Sequence, residues 1–510
     1  MLFFLWFSLV QSLIKSYKIW FLDDGHLVGP SAAVLEALNI ILERGPALGL
    51  QLNMSKCVLF GTNLDIFPDS MPRAVDGLMT LGVPIGSPSF VQSRIREVVH
   101  SSGLSMERIQ CLRDPQMELL LIRSCFGVPK LNYWLRTCDP GVIAASISDF
   151  DLSVDTALQH ILGVPLIGLD RDIASLPLSL GGLGIPRAAS IAPLAFVSSI
   201  GSTWQLVPFS SPRAGYSIAA SVIRSQGVLV PDLPAKAIPS ASPQIPLFSE
   251  FRQSGFSLQA GLALKGDIMC RISKPRQVLL TGRAAKGANY WLTSAPNEFL
   301  KTVLDPPTFR MLLKFHLGMP LSSAPGQCPD CFATQDVFGY HALSCKKASG
   351  FIDQHNSIVN GIVAVLRSAN VSCSMEARNP MIDNQQRPGD IYIPDFDVYG
   401  EAYLDVSVIN ILAPSHIERA TVGPLAGSKI RFDAKKQKYP DLGPRFKPLV
   451  LECTGGWHPY SMDYLKTMAD RIASCSLKTP TQALNSILTA ASFRLQRYQG
   501  IKLMRRCLGR

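Results

Sequence analysis

Three groups of residues in this 510-residue chain have the types and spacing that chemistry requires. Near the N-terminus, Asp23 and Asp24 stand side by side between Lys18-Ile19-Trp20 and Gly25-His26-Leu27-Val28, a pattern that predicts a β-hairpin carrying two carboxylates on its turn. Adjacent carboxylates repel each other, so the pair calls for a cation in front of it, and a divalent metal bound to triphosphate is the partner that fits. Further on, Cys328 and Cys331 form a Cys-x-x-Cys pair, nine residues lead to His341, and three more lead to Cys345. Two close ligand pairs joined by a short loop suit tetrahedral zinc. Four protein ligands leave no open position for water, so the predicted site serves folding rather than catalysis. His355, ten residues beyond Cys345, is a competing ligand. In the third group, Asp390 precedes the β-like run Ile391-Tyr392-Ile393, and fourteen residues separate it from Asp405, which opens the alternating strand Val406-Ser407-Val408-Ile409. Two acids on neighbouring strands can share a metal ion.

In this order the three groups resemble the reverse transcriptase of non-LTR retrotransposons, in the class that carries a zinc knuckle and a restriction-like, PD-(D/E)xK endonuclease at its C-terminus. The resemblance extends to Leu48-Gly49-Leu50-Gln51-Leu52-Asn53-Met54-Ser55-Lys56-Cys57, similar to the palm segment after the catalytic hairpin. It extends also to Leu81-Gly82-Val83-Pro84-Ile85-Gly86, similar to the next strand-turn element, and to the Gly-rich turn between Leu176 and Ile185. It implies that Asp23 and Asp24 are the magnesium-binding pair of a polymerase and that Lys56 lies beside the incoming nucleotide. It further implies zinc at Cys328, Cys331, His341 and Cys345, and magnesium at Asp390 and Asp405. The chain departs from the nuclease pattern twice: Gly389 is inserted between Pro388 and Asp390, and Ser407 stands where the motif has lysine. The lysine is therefore sought in Lys435-Lys436-Gln437-Lys438-Tyr439, which is similar to a KxxKY segment of such nucleases, with Lys435 the first choice and Lys438 the second. Glu452, after the apolar strand Pro448-Leu449-Val450-Leu451, and Glu376 are further carboxylates for the same site.

The elements that must position these residues follow from composition shifts, and the expected fold class is α+β and multidomain. Residues 1–62 are read as the C-terminal part of a palm. Residues 63–203 are read as a helical thumb or connection region, on the periodicity of 117–122 and 154–162. The Pro- and Ser-rich stretch 204–246 reads as a linker, since proline removes both helix and ladder hydrogen bonds. Helical patterning returns over 247–320, with Phe309–Phe315 as a basic amphipathic stretch. Residues 321–350 form the expected zinc knuckle and 351–510 the nuclease domain.

With 47% hydrophobic and 17% charged residues, the composition is that of a globular chain rather than a disordered one. The net charge of +11 favours a polyanionic partner, and the resemblance names target DNA and retroelement RNA. Arg431, Lys435, Lys436, Lys438, Arg445 and Lys447 are candidates for a DNA-backbone track, with Tyr439 and Trp457 as stacking surfaces. Arg494, Arg497, Lys502, Arg505, Arg506 and Arg510 are a second basic group in the tail. Nine of the twelve cysteines are scattered singly and read as small buried hydrophobes. The apolar run Met1 to Val10 lacks a preceding basic residue and a cleavage site before Lys15, and it is too short to span a bilayer. It is expected as a palm helix over Leu2 to Ile14, so the nuclear location that the resemblance implies is preferred to a secretory one. No acidic residue precedes the hairpin, so the first catalytic aspartate of a polymerase is missing and polymerisation is not expected. The alternative to a truncated polymerase joined to a working nuclease is a non-catalytic nucleic-acid-binding remnant.

Overall fold

The computed structural model describes residues 17–21, 24–49, 51–204, 212–233, 249–345, 347, 350–375 and 388–508. The expected Leu2–Ile14 helix, Asp23, Glu376, Arg510 and much of the expected linker lie outside the described residues. The chain divides into two units, Met1–Val98 with Gly141–Ser146, and Val99–Pro140 with Ile147–Arg510.

In the smaller unit, β1 (Tyr17–Phe21) and β2 (Asp24–Val28) pair antiparallel, and the register Phe21↔Asp24 sets Asp24 at the start of the second strand. Helix α1 (Ser31–Arg44) follows, and buried Leu38 packs in a small core with Leu59, Phe67 and Met71. Lys56 ends a single 3-10 turn, Met54–Lys56, whose Ser55 amide is capped by the Asn53 carboxamide. A second hairpin joins β3 (Gly77–Thr80) to β4 (Val83–Gly86) through Leu81 and Gly82, both at positive φ (50° and 79°). That pair of left-handed residues matches the right-handed twist of the strands it connects.

The larger unit begins as packed helices. Helix α2 (Val128–Thr137) lies against α3 (Ala188–Thr203), which is apolar around its circumference and is buried accordingly. The expected linker contains a helix, α4 (Pro212–Ser225), packed on α3 through Tyr216, Ala219, Ala220 and Ile223, one apolar stripe at helical spacing. Proline is tolerated in a first helical turn, where its missing N–H has no partner in any case, so Pro212 begins this helix rather than breaking it. Helix α5 (Lys274–Arg283) precedes α6 (Pro306–Leu317), which ends at Gly318 with φ +66°. The expected basic amphipathic face of α6 is not found: Phe309, Met311, Leu312, Leu313, Phe315 and His316 are all buried, and Arg310 turns inward to the Ile161 carbonyl. A short ribbon, β5 (Gly326–Gln327) with β6 (Thr334–Gln335), and a short helix, α7 (Tyr340–Ser344), come next.

Helix α8 (Phe351–Ser368) leads into a four-stranded sheet of order β10-β9-β8-β7. Strand β7 (Ser374–Met375) pairs antiparallel with β8 (Ile391–Asp397), and β8 with β9 (Gly400–Ile409). Strand β10 (Phe446–Glu452) runs parallel to β9 and is reached through the crossover helix α9 (Ala426–Lys438). Helices α10 (Pro459–Cys475) and α11 (Pro480–Leu508) complete the chain. Leu404 and Val406 of β9, Leu449 and Leu451 of β10, and the apolar stripes of α8, α10 and α11 form one core. Alternate residues face α9 instead, and Tyr403, Phe446, Tyr439 and Leu442 make a second cluster there. The 29-residue α11, about 43 Å long at 1.5 Å per residue, packs against α6, α7, α8 and α10.

Two smaller expectations change. Strand β9 starts at Gly400, so Asp405 is central in it rather than opening it, because 402–404 complete the antiparallel ladder to β8. Of the nine single cysteines only Cys138 and Cys453 are buried, and Cys111, Cys125, Cys270 and Cys475 are exposed. Among the described residues no helix is long and apolar enough to cross a membrane.

Candidate functional site

The four residues of the Cys/His pattern come together. The ligand atoms of Cys328, Cys331, His341 and Cys345 all lie within 4.8 Å of one another. The Cys328 and Cys345 sulfurs are 3.8 Å apart, and Cys331 Sγ is 3.2 Å from His341 Nε2. A tetrahedron with zinc–sulfur bonds of about 2.3 Å has an edge of about 3.8 Å, so the donor set has the size as well as the chemistry of a zinc site. The loop between the pairs is held from within: Asp336 accepts from the amides of Phe338, Tyr340 and His341. It is also held from outside. Asp330, between the first two cysteines, accepts from Arg505 at 2.9 Å and Arg506 at 2.7 Å, both in the last turns of α11. His355 takes no part in this cluster.

The second assembly is a cleft of about 380 Å³ in which Asp390, Asp405, His355, Ser407, Arg431 and Lys435 meet. Asp390 lies just before β8, where its amide donates to the Leu404 carbonyl. Its Oδ2 accepts from Val406 N at 2.7 Å and its Oδ1 lies 3.1 Å from His355 Nε2. The carboxylate thus takes the ladder position that β8 no longer fills at Val406, and a buried amide left without a partner there would cost about 1–3 kcal/mol. The inserted Gly389 has a reason in the same geometry. A Cβ at that position would fall 3.0 Å from the Leu404 amide nitrogen and carbonyl oxygen, a tight contact that glycine avoids where the chain presses against β9. The Asp390 hydrogen bond holds the His355 imidazole above its ordinary pKa.

Asp405 and Ser407 are two apart on β9 and share a face, about 6.6 Å from one to the next. Arg431 and Lys435 are four apart on α9 and share a stripe, rising about 6 Å. The two spacings match. Arg431 Nε donates to Ser407 Oγ at 2.8 Å, and Lys435 Nζ lies 2.9 and 2.6 Å from the two Asp405 oxygens. Ser407, which stands where the motif has lysine, therefore anchors an arginine, and a lysine arrives from the crossover helix. Burial pushes the Asp405 carboxyl above its usual range, opposed by Lys435 and reinforced by the charge of Asp390.

Several expected participants lie elsewhere. Glu452 is 1% exposed and does not line the cleft; its Oε1 accepts from Ser428 N at 3.1 Å, capping the N-terminus of α9. Burial pushes its pKa up to about 7, against the pull of the Ser428 and Gly427 amides. Lys438 sits with its ammonium 4.9 Å from the Tyr439 ring centroid and does not line the cleft. Lys436, Arg445 and Lys447 are engaged by the Phe446 carbonyl, Glu401 and Asp397, so little of the expected basic track is free for a backbone. Tyr439 and Trp457 are buried at 9% and 2% exposure and present no surface to bases. In the tail, Arg494 and Arg497 donate to main-chain carbonyls and Arg506 to Asp330 and the Ala342 carbonyl, whereas Lys502 enters the cleft. Residues that sequence reasoning assigned no place in this cleft are His355, Asn410, Gln499 and Lys502. The three-residue spacing of Gln499 and Lys502 on one helical stripe was the available signal. In the smaller unit Lys56 is exposed, and Asp24 is placed only by its strand position.

No family model matches the chain. It is similar to the retrotransposable element SLACS 132 kDa protein of Trypanosoma brucei gambiense, with 23% identity over 479 residues, covering 90% of this chain and 35% of that protein. The chain thus spans about a third of the length of the curated relative it matches. That similarity supports a retrotransposon origin.

Proposed function

We propose that this is a retroelement protein whose larger unit nicks DNA in the Asp390–Asp405–Lys435 cleft. The observation that carries the reading is that Asp390, Asp405 and Lys435, spread over 46 positions of sequence, meet in one cleft with a cation on one of the two acids. Two carboxylates at the same cleft, both half-buried, are hard-oxygen donors that suit Mg²⁺. Asp390 and Asp405 would hold the ion, which would supply Lewis-acid polarisation of the phosphate. Lys435 orients the attacking water and steadies its negative charge, while Arg431, anchored on Ser407, faces the strand phosphates. The water oxygen bonds to phosphorus, the bond from phosphorus to the 3′ oxygen breaks, and a proton ends on that oxygen. The products are a 5′ phosphate and a 3′ hydroxyl. His355 holds Asp390 in place from α8. The Cys328–Cys331–His341–Cys345 cluster binds zinc and serves the fold. In the smaller unit we read β1 and β2 as the palm hairpin of a reverse transcriptase, with Asp24 a magnesium ligand and Lys56 beside the nucleotide. Polymerisation is not expected of this half, and primer extension by the full chain that an Asp24→Ala control abolishes would overturn that expectation. DNA and retroelement RNA are the partners in this reading, and the nucleus is the place of work.

One rival reading has an observation in its favour. Lys435 is already paired with Asp405 and Glu452 is turned away from the cleft, as in a site that binds nucleic acid without cutting it. Nicking of supercoiled plasmid by the zinc-loaded full chain, with Mg²⁺, distinguishes the two. The nuclease predicts nicking that Asp405→Ala lowers at least about 10³-fold, roughly 4 kcal/mol of barrier. Binding by both proteins without nicking by either would leave the non-catalytic remnant.

A further inference from the structure

The same cleft has a wall that this chemistry does not use. Lys502 reaches it from α11 and is 5% exposed. Its ammonium donates to Gln354 Oε1 at 2.7 Å and lies 3.9 Å from the Phe351 ring centroid. An ammonium carries three donors; among the described residues Gln354 accepts from one of them, and the Asp353 carboxylate acts on it only through its charge. Burying a charge in this way is costly, and the burial pushes the Lys502 pKa down to about 8. On the same cleft, Asn410 Oδ1 accepts from Leu412 N at 3.0 Å and from Cys453 Sγ at 3.3 Å, which fixes the amide orientation. Its Nδ2 is buried and has no partner. A buried donor without an acceptor costs about 1–3 kcal/mol, so the fold maintains two under-used donors on one cleft at a standing penalty. Both residues line the one cleft, and an anion with several acceptor oxygens is the class of ligand that matches a pair of such donors.

We propose that Lys502 and Asn410 form a second phosphate subsite of the cleft, one that holds a phosphodiester neighbouring the one presented to Asp390 and Asp405. The assignment of that phosphate to a nucleic-acid strand rests on the nuclease reading. Lys502 is positioned by the next turn of α11, where Arg505 and Arg506 grip Asp330 of the cysteine cluster. The zinc module therefore sets where this ammonium sits. Lys502 and Asn410 are positioning residues for the strand and touch no reacting atom.

The test is duplex DNA binding by the zinc-loaded full chain, without Mg²⁺, across a series of salt concentrations. Each phosphate neutralised by a cation adds about 0.9 to the slope of log K against log salt for duplex DNA and about 0.7 for a single strand. Lys502→Gln should weaken binding severalfold on every sequence and lower the slope by about that amount, while Lys502→Arg keeps the slope. A Lys502→Gln protein that melts and holds zinc like the parent yet shows the parent slope would overturn the proposal. If that variant does not fold, Asn410→Asp decides alone: a carboxylate there should weaken binding at least about tenfold, and unchanged affinity refutes the subsite. Inorganic phosphate at matched ionic strength separates the sources. If phosphate raises the melting temperature of the parent but not of Lys502→Gln while the two proteins share one DNA salt slope, the subsite belongs to free phosphate and not to a strand. None of these outcomes depends on nicking, so loss of the nuclease reading in the Asp405→Ala comparison is read independently.

Discussion

The cysteine cluster and the acid cleft are both held by α11, yet they are built in opposite ways. The cluster draws all four donors from 18 consecutive positions, and one tight loop brings them together. The cleft draws on α7, α8, the start of β8, β9, α9 and α11, so its residues run from Leu343 to Lys502. A site closed by local chain geometry is legible as a motif. A site closed by packing exists only when several elements hold their register at once, and it is correspondingly sensitive to changes far from it.

The largest effect is expected at the cluster. Cys328→Ser, or stripping zinc with a chelator, should remove a contribution on the order of 10 kcal/mol in apparent binding energy, seen as an early chelator-dependent melting transition. If the melting curve ignores both, the four donors hold no structural metal. Arg506→Ala probes the link between the two regions. Its guanidinium is buried against Asp330, which keeps Arg505 when Arg506 is removed, so the cost falls below the roughly 3–5 kcal/mol of a buried charge left unpaired. The variant should lose zinc affinity and weaken DNA binding together, and loss of only one would show that the cluster and the cleft are independent.

Glu452 gives a pH signature belonging to the sheet alone. Its folded pKa of about 7 lies above the ordinary 4.5, so the folded state holds the proton more tightly. The stability this contributes is fully present below about pH 4.5 and is lost as pH rises through 7, by about 3 kcal/mol at 1.36 kcal/mol per unit. Denaturation midpoints of Glu452→Gln and the parent, compared from pH 4.5 to 8, should diverge over that window. A constant difference would show that Glu452 does not titrate there. The smallest effect is expected from Arg431→Ala, which removes one hydrogen bond to Ser407 worth about 1 kcal/mol. Stability should barely change while DNA affinity falls, and an unchanged affinity would take Arg431 out of the strand-binding role.

How far the sequence could be read differs along the chain for physical reasons. The hairpin at β1 and β2, the helices over 115–121 and 140–162, and the strands at 391 and 446 follow from period and turn residues that lie next to one another. The helix Pro212–Ser225 was obscured because prolines near its boundaries dominate the composition while its apolar stripe is only four residues wide. The apolar spacing of α6 was visible, but that α6 is buried on nearly every side depends on neighbours distant in sequence. Gly389 and Ser407 depart from the motif; in the fold one suits the close approach to β9 and the other holds Arg431.

By itself the sequence determined the donor set of the cysteine cluster, the candidate acids Asp390 and Asp405, the alternation of β9 and the apolar run of β10. These depend on residue types at short spacing, which the covalent chain enforces. Only the tertiary structure decided that His355 serves Asp390 and not the metal cluster, that Lys435 rather than Lys438 meets Asp405, that Glu452 caps α9, and that Lys502 enters the cleft from α11. Each of these is a choice among partners tens of residues away, and it is made by helix phase against strand register, which no single stretch of sequence contains.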